Sequence, residues 1–261
     1  MNANYLEVAV EIALEAGKIL REEMERPPTI AYKGDFDLVT QTDRRSEALI
    51  VSRLQNYFPD HAIAAEEGTG KNTASDYCWH VDPLDGTTNF AHGYPCFCVS
   101  MALARNKELL LGVIYNPVYN ELYAAARGEG ATFNGRKMQC SKIDSVKNSL
   151  LCTGFPNHDR QSNPNFPLYW DFTLRSHGVR RDGSAALDLA YVAMGRLDSF
   201  WEFGLKPWDT AAGVVLVEEA GGKVTDMHGN PYVLGGASVL ASNGLIHAEM
   251  IRVAAEVSDA R

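Results

Sequence analysis

Basic residues are scarce in this 261-residue sequence: 24 lysines and arginines stand against 33 aspartates and glutamates, a formal net charge of -9. A surface of that sign repels phosphate backbones, so general nucleic-acid binding is not expected. A phosphate-ester ligand would need positive charge supplied locally, and bound cations held by the surplus carboxylates are one source. Cysteine is sparse as well. The five thiols, Cys78, Cys96, Cys98, Cys140 and Cys152, are odd in number and scattered, which fits neither a disulfide framework nor a zinc site. They read as reduced core residues of a cytoplasmic protein, with Cys96 and Cys98 on one strand face. No apolar run reaches the length of a membrane span. Glu7, Glu11 and Glu15 interrupt the apolar residues near the N-terminus, so no secretory leader is expected there. Internal repeats and low-complexity linkers are lacking too, which favours halves that share a cleft over separate beads.

Helical spacing is present from the start. Leu6, Val10, Ala13, Leu14, Gly17 and Leu20 form a stripe over residues 5–25, with Asn4 and Glu7 as a capping pair and Pro27-Pro28 as the stop. Polar and turn residues, among them Lys33, Gly34, Asp35 and Asp37, lead to a second helix over Asp43–Phe58 with Glu47, Ile50, Leu54 and Tyr57 on one side. A short strand over Cys78–Val81 precedes a meander, Phe97–Ala104, Leu109–Tyr115 and Leu122–Ala126, and Asn134-Gly135 marks a hairpin turn. The texture changes near residue 140. Beyond it, strands over Leu150–Thr153, Gly178–Arg181, Leu197–Trp201, Gly222–Thr225 and Val239–Ser242 alternate with helices over Phe166–Ser176, Ala185–Met194, Pro207–Ala220 and Leu245–Val257. The reading is an α+β half, 1–140, packed against an α/β half, 141–261.

Chemistry concentrates in Trp79-His80-Val81-Asp82-Pro83-Leu84-Asp85-Gly86-Thr87-Thr88-Asn89-Phe90. A strand delivers Asp82 at its end and Asp85 follows three residues on, so both carboxylates converge if the chain turns. Gly86-Thr87-Thr88 would open a helix whose free N–H groups suit a phosphate. Carboxylates beside an anion-binding turn need cations between them, and hard oxygen donors favour magnesium. By themselves Asp-Pro and Asp-Gly are common turn dipeptides. Glu66-Glu67 after the apolar run 61–65 reads equally as a solvated pair, Asp209 after Pro207-Trp208 as a helix first-turn acid, and Asp43 as an N-cap. His80 and His92 read as structural.

Taken together these segments resemble the inositol monophosphatases. Trp79 through Phe90 is similar to the family's first signature, and Trp208-Asp209-Thr210-Ala211-Ala212-Gly213, continuing to Leu216 and Glu219-Ala220-Gly221-Gly222, to its second. Asp37 to Asp43 and Ala65-Glu66-Glu67 match the upstream segments, so the likeness spans nearly the whole chain. The resemblance implies a five-layer α-β-α-β-α sandwich with its site in the cleft, two to three magnesium ions, inhibition by lithium and a homodimer. It implies Glu66, Asp82 and the Leu84 carbonyl for the first ion, Asp82, Asp85 and Asp209 for the second, and Glu66 for a weaker third. Gly86 and Thr87 would bind phosphate, while Asp43 and Thr87 would orient and deprotonate the attacking water, with Glu66 also in the catalytic set. Asp85, Gly183, Ser184, Ala185, Glu202 and Asp209 would meet the substrate. Glu202 favours a polyol such as inositol 1-phosphate, because a carboxylate accepts from two neighbouring hydroxyls. Fructose 1,6-bisphosphate and adenosine bisphosphates stay open as alternatives, with Arg180 or Arg181 as contacts for a second phosphate or a partner subunit. A magnesium-binding protein without catalysis is the alternative of another class. Lys33 would approach the metal site.

Overall fold

The N-terminal amphipathic pattern becomes helix α1 (Tyr5–Met24) in the computed structural model, which describes residues 5–24, 30–32, 38–155 and 163–259. Asn4, Pro27, Pro28, Lys33 and Asp37 lie outside the described residues. The buried face of α1 is rotated from the expected stripe: Ala9, Ile12, Ala13, Ala16, Gly17 and Leu20 are buried, while Leu6, Val10 and Leu14 flank them half-buried. The rotation follows from close packing, since a Cβ on Gly17 would land on the ring of Tyr115. A ribbon of β1 (Ile30–Tyr32) and β2 (Leu38–Thr40) leads into α2 (Gln41–Tyr57). This helix starts two residues before the expected Asp43. Thr40 is its N-cap, accepting from Thr42 N at 3.1 Å and Asp43 N at 3.4 Å, and Asp43 accepts in return from Thr40 N at 2.8 Å. That reciprocal pair is a capping box. Of the expected face, Glu47, Ile50 and Leu54 are buried, but Tyr57 is exposed.

The first sheet holds β3 (Ala62–Ala65), β4 (Tyr77–Asp85), β5 (Cys98–Arg105), β6 (Glu108–Asn116), β7 (Glu121–Ala126), β8 (Gly130–Phe133) and β9 (Arg136–Lys137) in chain order. Its β3–β4 pair is parallel and the rest form an antiparallel meander. Asn134 and Gly135 make the last hairpin turn with φ of 47° and 75°, the left-handed pair that matches strand twist. Short helix α3 (Thr87–Ala91) follows β4. The second sheet has the order β11 (Gly178–Arg180), β10 (Leu150–Thr153), β12 (Ser199–Phe203), β14 (Ser238–Ser242), β13 (Lys223–Thr225). Here β10 runs parallel to β11 and β12, and the remaining pairs are antiparallel. Helices α4 (Asn165–Arg175), α5 (Ala185–Ala193), α6 (Pro207–Glu219) and α7 (His247–Asp259) complete the chain.

Side-chain alternation along the strands shows the layers. On β5, Val99, Met101 and Leu103 join a core with α1 and α2, while Cys98, Ala102 and Ala104 join a second core with α5 and α6. On β12, Phe200 faces that second core, and Trp201 faces a third one with α4 and α7. The layers are therefore α1/α2, first sheet, α5/α6, second sheet, α4/α7, a mixed α+β five-layer sandwich. Small residues let the central helices sit close. A Cβ on Gly112 of β6 would strike the Ala212 backbone of α6, and one on Gly213 would strike Leu189 of α5. All five cysteines are free thiols, and Cys96 and Cys98 share the central core. No helix among the described residues is long and apolar enough to cross a membrane.

Candidate active site

Strand β4 runs past the expected end at Val81 through Asp82 to Asp85, and an irregularity in its pairing decides where the two carboxylates point. Asp82 pairs with Ser100 but Asp85 pairs with Cys98, so β4 spends three residue steps where β5 spends two. In a regular strand, residues three apart face opposite ways. The extra residue of this bulge, in Pro83-Leu84, returns both carboxylates to one face. That face looks toward α6, where Ser100 Oγ donates to Trp208 O at 3.3 Å and Asp209 stands in the first turn. Leu84 points the other way and is fully buried in the α1/α2 core.

Glu66 follows β3, tied to β4 by its N–H to Val81 O at 3.2 Å. Asp82 is 2 % exposed. Burial drives its carboxyl well above the usual range, and the neighbouring charges of Glu66, Asp85 and Asp209 push the same way. A hydrogen bond between Asp82 and Glu66 adds to the rise, and two carboxyl groups bond in that way only by sharing a proton. Asp209 is raised to about 8, first by burial and then by Asp85, although the Lys206 N–H bonds it at 2.7 Å. Asp85 is raised by burial, but donors temper the shift: Ser184 Oγ at 2.6 Å and Ala186 N at 2.8 Å both bond Oδ2. Among the described residues no three His, Cys, Asp or Glu side chains close round a point as a finished metal shell. The donor set nonetheless suits a hard divalent cation: four crowded carboxyl groups offer oxygen donors, and a cation would relieve the repulsion that lifts Asp82 and Asp209.

Gly86 adopts φ 94° before α3, and a Cβ there would meet Cys96 O at 2.8 Å. The Thr87 hydroxyl lies 3.0 Å from Asp43 Oδ1 and 3.1 Å from Leu84 O. Asp43, fully buried, is raised by burial against the bonds from Thr40 and Thr87. Glu202 on β12 is 5 % exposed and raised to about 8, by burial first; Arg181 opposes the rise, and Asp209 and Asp85 add to it. Gly183, at φ 87°, packs on the Asn89 side chain, whose Nδ2 bonds Asp182 O and Cys96 O at 2.7 Å. Ser184 is 1 % exposed, caps α5 and directs its hydroxyl to Asp85. Ala185 and Ala186 supply N–H groups to the same carboxylate. His80, half-buried on β4, is lowered by desolvation to about 4, and exposed His92 closes α3.

Sequence reasoning named Asp43 and placed Glu47 on the apolar side of α2, but missed Ser46 and the bonds that make the three a polar rib. Asp43, Ser46 and Glu47 are all fully buried. Ser46 Oγ donates to Pro83 O at 2.9 Å. Glu47 accepts from Glu67 N at 2.6 Å, and from Thr69 N and Thr69 Oγ1 at 2.8 Å each. Positions i, i+3 and i+4 of one helix thus hold the Thr87 turn, the β4 bulge and the Glu66 loop. The available signal was a carboxylate in line with Ile50 and Leu54 on the apolar face.

Comparison with known proteins bears on this geometry. The model of the inositol monophosphatase family matches residues 1–259. The chain is 46% identical over 250 residues to an inositol-1-monophosphatase of Synechocystis sp., covering 94% of this chain and 87% of that one. It is 44% identical over 246 residues to the protein named Nus factor SuhB of Pseudomonas aeruginosa, covering 91% of each. The solved structure of the inositol monophosphatase from Anabaena (Nostoc) sp. PCC 7120 superposes with a TM-score of 0.88 at 43% identity, over 97% of this chain and 95% of that one.

Proposed function

Since the chain belongs to the inositol monophosphatase family, we propose that it is a magnesium-dependent phosphomonoesterase that releases myo-inositol and phosphate from inositol 1-phosphate. The observation that carries this reading is the gathering of Asp82, Asp85, Asp209 and Glu66 into one electrostatic cluster, with Glu202 within its reach. Glu66, Asp82 and the Leu84 carbonyl would hold a first magnesium ion, Asp82, Asp85 and Asp209 a second, and Glu66 a weaker third. When bound, the ions supply positive charge to the phosphate ester and ease deprotonation of water. Gly86 and Thr87 would receive the phosphate at the start of α3, where main-chain donors lack helical partners.

With its hydroxyl donated to Asp43 Oδ1, Thr87 presents oxygen lone pairs to a water. As that water attacks phosphorus and the bond to the inositol oxygen breaks, its proton passes to the Thr87 oxygen, the hydroxyl proton passes to Asp43, and the departing alkoxide takes a proton from solvent water to leave as inositol. Burial raises Asp43 and so makes it a better acceptor than an exposed aspartate. Glu202, buried on β12 with its carboxyl raised mainly by that burial, offers two oxygens to adjacent ring hydroxyls, which suits a polyol.

Phosphate release from inositol 1-phosphate, fructose 1,6-bisphosphate and adenosine bisphosphate, with and without magnesium and lithium, tests the reading. Inositol 1-phosphate is expected to be the preferred ester, with millimolar lithium inhibiting. Silence on every ester would refute the phosphatase. The likeness to a protein named Nus factor favours a second reading, a Nus factor role beside the enzymatic one, which such silence would leave standing alone. A homodimer is also proposed. Phe166, Trp170 and Leu174 stand one helical turn apart on α4 and are 50 %, 70 % and 69 % exposed, an apolar row that a second copy would cover.

A further inference from the structure

We propose that Gly154 sets substrate selectivity by leaving the space in which the Glu202 carboxyl group stands, a role that rests on Glu202 being the residue that recognises the leaving alcohol. Gly154 is buried just beyond β10, beside Glu202 on the parallel neighbour β12, where Thr153 pairs with Trp201. A Cβ built on Gly154 would overlap both carboxyl oxygens and Cδ of Glu202. Its backbone is not among the left-handed glycines, so alanine meets no conformational barrier there. The three atoms nearest that Cβ all belong to the Glu202 side chain.

Something must give, and the surrounding bonds decide what. Asn165 Nδ2 donates to Gly154 O at 2.6 Å and to Thr153 Oγ1 at 2.7 Å, and Asn165 Oδ1 accepts from Trp201 Nε1 at 2.5 Å. Thr153 Oγ1 in turn lies 2.5 Å from Trp201 O. Asn165, Thr153 and Trp201 are all fully buried. This clamp ties residues 153 and 154 to the residue that precedes Glu202, so the two backbones cannot separate without stranding buried polar atoms. The Glu202 side chain, by contrast, has rotatable bonds about which its carboxyl group can turn. A methyl at position 154 therefore moves the carboxyl group and leaves the fold in place.

The experiment is Gly154→Ala, alone and with Glu202→Ala, assayed on inositol 1-phosphate and on an aryl phosphate at saturating magnesium, with thermal unfolding of each variant. Gly154→Ala is expected to keep a near-native Tm and its aryl phosphatase activity. It should lose roughly 10- to 100-fold in kcat/KM on inositol 1-phosphate, the size of a lost charged or multiple hydrogen bond, chiefly through KM. With Glu202 already truncated, alanine at 154 should change neither substrate. An unchanged ester preference in Gly154→Ala, or a further loss in the Glu202→Ala background, would overturn the proposal. Glu202→Ala losing equally on both esters would instead overturn the reading of Glu202, and this one with it. Should Gly154→Ala alone fail to fold, rescue of folding in the double variant supports the clash with Glu202, and continued failure refutes it.

Discussion

Glu47→Gln offers a sharp test of the α2 rib, because it changes one atom type in a fully buried group and almost no volume. Glu47 Oε1 serves the Thr69 N–H and hydroxyl, and Oε2 serves the Glu67 N–H. Glutamine has one acceptor oxygen. Its lower-energy placement sets that oxygen at the Oε1 position, where it keeps both Thr69 bonds. The amide NH2 then faces the Glu67 N–H across a gap of 2.6 Å in the native structure, donor against donor. The cost is one charge-assisted bond and one stranded donor, about 2–3 kcal/mol, or a Tm lower by roughly 5–10 °C for a chain of this size.

The consequence for the site is local. Glu67 and Thr69 belong to the loop that carries Glu66, and Gly68 turns that loop with φ 87°. Loosening it should weaken magnesium binding at Glu66 by about 10- to 100-fold, as loss of a group that orients a ligand does, while excess magnesium recovers much of the rate. The measurements are thermal unfolding without metal and calorimetric titration with magnesium. A Tm within a degree of the parent together with unchanged magnesium affinity would refute the role assigned to Glu47.

Asp85→Asn should abolish turnover yet leave the metal-free fold at least as stable as the parent, because one repelling charge is removed and the amide oxygen still accepts from Ala186 N; near-normal activity would take Asp85 out of the ligand set. Trp170→Glu on the α4 row should shift sedimentation from dimer to monomer, and a parent that sediments as monomer would refute the self-association. His247 bridges Thr225 Oγ1 at 2.9 Å and Ser242 Oγ at 2.8 Å, and burial lowers it to about 4, as it does His80. Both fold in the neutral form, so between pH 6.5 and 4 the unfolded chain binds more protons. Their contribution is whole above pH 6.5 and is lost as pH falls through that window. Denaturant titrations at intervals of pH should show this acid limb, shallower in His247→Gln, and an unchanged slope in that variant would refute it.

Much of this arrangement was legible as residue type and order. The segment from Asp82 to Thr88 marked the site, and alternation after residue 140 marked the second sheet. Geometry that depends on a neighbouring strand was not legible. Period-two reasoning puts Asp82 and Asp85 on opposite faces, and only their pairing with Ser100 and Cys98 reveals the bulge that unites them. The α1 stripe was misjudged by about one residue in the turn because hydrophobicity favours leucine. Contact with the sheet instead favours Ala9, Ala16 and Gly17, which let the helix approach. Glu47 was placed on the face of Ile50 and Leu54, but its bonds, and the burial of Ser46, escaped for a related reason: they depend on a loop and a strand end from elsewhere in the chain. Gly154 carries no motif, since its meaning is the space that Glu202 occupies.

The carboxylates themselves differ in how far the protein satisfies them, and the difference orders the site. Asp85 is held from the far half of the molecule by Ser184 and the N–H groups that open α5, so its charge has donors before any cation arrives. Asp43 is held likewise by Thr40 and Thr87. Asp82, most central, accepts from the Leu84 N–H at 3.0 Å, while burial and three other carboxyl groups act against its charge. A frame built only for stability would put an apolar residue there, because an unpaired buried charge costs far more than it returns. The helix caps on either side fix where the outer carboxylates stand, and the repulsion concentrated at Asp82 is what a divalent cation, on the proposed reading, would relieve.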